Sequence, residues 1–172
     1  MNIFSYKLAA TIKRSNPQET SSIEIMQYAL NIILNTLLII ITSLIIGWAT
    51  GSLTDTAVSL FSFAVLRSFS GGLHLKTATA CNIFSITLCT SIPHLSFLIK
   101  DHLWIYNAFS LFLMLLFAPN PDANVQISQR SYPLMKLIAV LLVATNFFIH
   151  SSVLGLAFLA QSLTVIPLER RK

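Results

Sequence analysis

The chain has 172 residues, 55% of them hydrophobic and only 10% charged, with a mean hydropathy of +0.74; ordinary soluble domains carry about 25% charged residues. So little polar surface excludes a soluble globular domain, and the net charge of +5 reads as membrane orientation, with no nucleic acid expected as a partner. Two cysteines, Cys81 and Cys89, both beside or inside apolar sequence, exclude a disulfide framework.

The length suits one integral-membrane domain over residues 1–172 and leaves nothing for a separate soluble module. Residues 1–14 place Ile3, Phe4, Leu8 and Ile12 near one helical face with Lys7, Lys13 and Arg14 nearby, a pattern for an interfacial helix that Pro17 ends. Ser21 and Glu24 fit a capping box at the start of a first spanning helix, about Ile25 to Trp48. That run is too long, and begins too far into the chain, for the apolar region of a signal peptide, so it is expected to be retained.

Gly51 marks a turn, and Thr54 or Asp55 can cap a second apolar helix reaching about Leu66, short for a span unless protein covers its ends. A third run extends from about Ala78 to Ile99 with a kink expected at Pro93, followed by a polar turn at Lys100-Asp101-His102. A fourth runs from Trp104 to Ala118 and stops at Pro119. After the polar connector Pro119 to Pro133 come two more, about Leu134 to Ile149 and Val153 to Ile166. The fold class predicted is therefore all-α, a polytopic membrane helix bundle with about six transmembrane segments.

Six spans put alternate connectors on opposite sides of the bilayer. Lys7, Lys13, Arg14, Arg67, Lys76, Arg130, Lys136, Arg170, Arg171 and Lys172 then share one side, and Lys100 alone falls on the other. Lysine and arginine favour the cytoplasm, so both termini and the Arg67 to Cys81 connector are expected there.

That connector, RSFSGGLHLKTATAC, carries the chemistry. A cysteine attacks as its thiolate and needs a base nearby. His74 precedes Cys81 by seven residues, which on one unbroken helix is about 10 Å, too far for direct proton transfer. The paired glycines Gly71 and Gly72 supply a bend. If Thr77 or Thr79 caps the next helix, Cys81 falls in or near its first turn, where the partial positive charge of a helix N-terminus favours a thiolate. Taken singly, the same residues read as an interfacial histidine, a packing cysteine, a turn, and an arginine anchored at the membrane surface. Taken together, they are the parts of a thiol acyl-transfer site.

At these positions the chain resembles the accessory gene regulator B (AgrB) family, bacterial membrane endopeptidases that process the precursor of a cyclic autoinducing peptide. The likeness rests on Arg67, Ser70-Gly71-Gly72, His74 and Cys81, and on the apolar profile and the Ala118-Pro119 boundary across nearly the whole chain. It implies His74 as base and Cys81 as nucleophile, with Arg67, Gly71 and Gly72 shaping the site. No acid stands out to orient His74, so the pair is read as a dyad. The resemblance further implies a bacterial plasma-membrane enzyme whose partners are a precursor peptide and the lipid bilayer; homodimerisation suits so small a bundle.

No cofactor is expected. A zinc site from His74, Cys81, Cys89 and His94 matches no closed-site spacing and would span the membrane, so no metal is expected either. Asn31, Asn35, Asn107, Asn146 and Gln161 are expected to bond between helices. The rival readings are a small multi-pass transporter, against which stands the lack of an acidic residue in the middle of any span, and a non-catalytic assembly subunit.

Overall fold

A computed structural model describes residues 2–73, 75, 77–120 and 128–167. Among them are seven α-helices: α1 (Asn2–Ser15), α2 (Ile23–Ala49), α3 (Leu53–Ser70), α4 (Ala78–Leu95), α5 (Leu103–Phe117), α6 (Tyr132–Ile149) and α7 (Ser152–Thr164). Short 3-10 segments lie at Ser96–His102 and Gln129–Ser131. Each of the six apolar runs forms a helix, and Ile23–Ala49, Ala78–Phe117 and Gln129–Ile149 are long and apolar enough to cross a membrane. The fold is an all-α membrane bundle.

The chain divides into two compact units, Met1–Thr42 and Ser43–Lys172, with the boundary inside α2. In the first, α1 buries the small residues Ser5 and Ala9, and the Ser5 hydroxyl donates to Asn31 Oδ1 at 2.8 Å. Ile3, Phe4, Leu8 and Ile12 stay exposed, an apolar face of the kind that enters a headgroup layer. The capping residue of α2 is Ser22 and not Ser21. Its Oγ accepts the Ile25 N–H at 3.4 Å and its carbonyl accepts the Met26 N–H at 3.1 Å, the first bond of the helix.

In the second unit the core gathers around α7. Leu66 of α3, Met114 of α5, Ala139 and Val143 of α6 and Phe158 of α7 form the main cluster. Ile92 of α4 joins Val153 and Ala157 of α7 in another. The 13 residues of α7 make a rod of about 20 Å, shorter than the roughly 30 Å of hydrocarbon. Such a helix is tolerable because protein and not lipid encloses it: Val153, Ala157, Phe158, Gln161, Ser162 and Thr164 are all buried. Asn146 is also fully buried. Its amide donates to Asn107 Oδ1 and Ser151 O, both at 3.0 Å, so it ties the α6–α7 turn to α5 in the bridging role expected for Asn107 and Asn146.

Besides the cap of α2, three boundaries differ from the sequence expectation. The cap of α3 is Ser52, whose carbonyl accepts the Thr56 N–H at 2.9 Å, and not Thr54 or Asp55. The same helix continues past Leu66 to Ser70, with the Ser68 hydroxyl returned to Ala64 O at 2.9 Å, an arrangement that lets a serine sit inside a helix with its hydroxyl satisfied. Pro93 lies in the last turn of α4, where its missing N–H leaves the Cys89 carbonyl without its helical donor, and two residues later the chain passes into the 3-10 segment that contains Lys100, Asp101 and His102. Where α2 turns into α3 the backbones meet closely: a Cβ at Gly47 would lie 2.7 Å from Thr56 Oγ1.

Candidate functional site

The site expected from sequence lies between the end of α3 and the start of α4. The Gly71 N–H closes α3 on Arg67 O at 2.9 Å, and the chain then reverses through Gly71 at φ 68° and Gly72 at φ 136°. Side chains other than glycine rarely adopt these angles. At Gly72 the space is also taken, since a Cβ would lie 2.7 Å from Thr164 Oγ1 and 3.3 Å from Gln161 Nε2.

Three parts of the chain hold this turn. From the segment after α5, the Asn120 N–H donates to Ser70 O at 2.8 Å and Asn120 O accepts the Gly72 N–H at 2.9 Å, forming an isolated parallel bridge. From the end of α7, Thr164 O accepts the Leu73 N–H at 2.7 Å. From inside α7, the Gln161 amide donates to Ser70 Oγ at 2.9 Å and to Gly71 O at 2.7 Å. Arg67, in the last turn of α3, closes the loop on itself by donating from Nη2 to Leu73 O at 2.7 Å. Arg67, Gly71 and Gly72 thus belong to one hydrogen-bonded network.

The next helix opens as its sequence predicts. Thr77 is the cap of α4: its Oγ1 accepts the Ala80 N–H at 3.2 Å, and its carbonyl accepts the Cys81 N–H at 3.1 Å. Cys81 therefore stands in the first turn, a free and half-buried thiol. Asn82 is buried, so the two neighbours face different surroundings. His74, the predicted base, and Lys76 lie outside the described residues, as does 121–127 of the polar connector.

Cys89 is buried two turns deeper in α4. Among the described residues no three His, Cys, Asp or Glu side chains gather as a metal group. An open cleft of about 350 Å³ is lined by Ile46, Thr50, Thr90, Ser91, His94 and Leu95. It sits at the opposite end of α4 from Cys81, roughly 20 Å along the helix axis, and is a separate feature.

Sequence reasoning missed the partners of the glycine turn. Gln161 was legible only as a polar residue inside an apolar run, a signal that it must bond to something. Asn120 and Thr164 carried no signal, because they act chiefly through their backbones.

The family model described as Accessory gene regulator B matches residues 5–167. An AgrB-like protein of Halalkalibacterium halodurans is 25% identical over 167 residues, an alignment covering 94% of this chain and 84% of the relative. An AgrB-like protein of Clostridium perfringens is 33% identical over 78 residues, covering 45% of this chain and 35% of the relative. Both are named by likeness, so they speak to family and not to chemistry. No solved structure matches the chain.

Proposed function

The chain belongs to the accessory gene regulator B family, whose members are involved in processing autoinducing peptides, and on that premise we propose that it is a membrane-embedded cysteine endopeptidase. The observation that carries the reading is the placement of Cys81: a free, half-buried thiol in the first turn of a capped helix that begins six residues after Gly72, the second glycine of a turn pinned by three parts of the chain. A helix N-terminus supplies partial positive charge where a thiolate needs it.

In the proposed reaction the Cys81 thiolate attacks a backbone carbonyl of the precursor, and His74 first takes the thiol proton and then delivers it to the departing amine. A thioester remains on Cys81 and the C-terminal fragment of the precursor leaves. A thiol or hydroxyl within the retained fragment then displaces Cys81, closing a thiolactone or lactone and returning the enzyme thiol. Helices around the site slow hydrolysis of the thioester. The excess of lysine and arginine on one set of connectors supports a multi-pass arrangement in the bacterial plasma membrane with this site on the cytoplasmic face, where a precursor peptide would be met.

Co-expression with a tagged precursor, read by mass spectrometry, tests the reading. Cleavage is expected from the unaltered chain and none from Cys81→Ser or His74→Ala, while Cys89→Ala retains it. Cleavage that survives Cys81→Ser removes the nucleophile and leaves a non-catalytic subunit as the better description.

A further inference from the structure

We propose that Gln161 is a positioning residue for this reaction: from α7 it fixes the Ser70–Leu73 turn, and through it the path of the chain into the site. The inference rests on the peptidase reading above, and goes beyond it by assigning a role to a residue 80 positions from Cys81 in a different helix.

Gln161 has no solvent exposure, and its amide is used on both sides. Nε2 donates to Gly71 O at 2.7 Å and Ser70 Oγ at 2.9 Å; Oε1 lies 3.1 Å from Thr164 Oγ1, whose hydrogen also serves Gln161 O at 2.8 Å. The orientation of the amide follows from chemistry, because the Gly71 carbonyl can only accept and so must face the NH2 group. An ordinary buried glutamine in a membrane bundle joins one helix to another. This one joins α7 to Ser70 at the end of α3 and also donates to the backbone of a residue at φ 68°, in a stretch of two glycines with more conformational freedom than any other pair. Of the remaining ties to the turn, those from Asn120 and Thr164 run backbone to backbone, and that from Arg67 comes from α3 itself and reaches Leu73 O. Gln161 is therefore the side chain through which α7 sets the turn, and the only one of these ties that Gln161→Met deletes. A displacement of about 1 Å in the chain leading to a reacting group costs on the order of a hundredfold in rate.

The test uses the full chain in detergent with Cys89→Ala, so that iodoacetamide reports Cys81 alone. His74→Ala is expected to slow alkylation, and Gln161→Met, similar in volume but without donors, to slow it roughly tenfold or more. The double variant is expected to be no slower than the slower single one, because both changes remove the same assistance. Asn146→Leu serves as comparator: it breaks a buried bond of the bundle away from the turn, and should lower the thermal midpoint while leaving the alkylation rate unchanged. A Gln161→Met rate equal to that of the unaltered chain, or an effect additive with His74→Ala, overturns the inference and makes Gln161 a packing residue. If Gln161→Met yields no folded protein, Ser70→Ala, which removes one of the two acceptors without adding volume, is read by the same criterion. Failure of the peptidase reading looks different: His74→Ala leaves alkylation unaltered, or Cys81→Ser still cleaves.

Discussion

Gly72 is the residue where geometry leaves least latitude. Any side chain there meets both an unfavourable φ of 136° and the Thr164 hydroxyl, whereas Gly51, at φ 70°, faces open space. Gly72→Ala is expected to destabilise the protein by about 1–3 kcal/mol from backbone strain alone, and more from the clash, with loss of peptide processing. Gly51→Ala should cost no more than about 1–2 kcal/mol and leave processing intact; thermal midpoints in detergent, with cleavage assayed alongside, check the contrast. The glycine turn was legible in the sequence because paired glycines between two apolar runs have few other uses. Its partners were not, since Gln161 and Gly71 are 90 residues apart and nothing in a local pattern connects them. The pairing of His74 with Cys81 likewise stands on the motif, with His74 outside the described residues.

At the scale of a helix, the start of α4 is the element on which the proposed chemistry depends. Thr77→Ala removes the hydroxyl that accepts the Ala80 N–H and should cost about 1 kcal/mol, felt as faster amide exchange over residues 78–82; Thr77→Ser should restore protection. Equal exchange in all three proteins would show that tertiary packing, and not the cap, holds this turn. Helices were legible throughout because apolar runs in a chain with so few charges have no other way to satisfy their backbones in a bilayer. Their ends were less so. Serine and threonine serve equally as caps and as mid-helix residues bonded to their own carbonyls, and Ser22, Ser52 and Ser68 were decided by backbone geometry that spacing does not record.

At the scale of the molecule, the distribution of lysine and arginine predicts that both termini are cytoplasmic, which fusions to the C-terminus test: green fluorescent protein should fluoresce and alkaline phosphatase should stay inactive, and the reverse result would invert the topology. Membership of a helical membrane bundle was readable from composition alone. The internal arrangement was not, because hydropathy grades every apolar run alike and does not say which one the others surround. That α7 is the enclosed helix has a consequence for biogenesis. The ribosome delivers α3, α4, α5 and α6 to the membrane before their common neighbour exists, so a nascent chain holds Cys81 while Gln161 and Thr164 are still unmade. The thiol is therefore synthesised well ahead of the α7 residues that hold the Ser70–Leu73 turn in the finished protein.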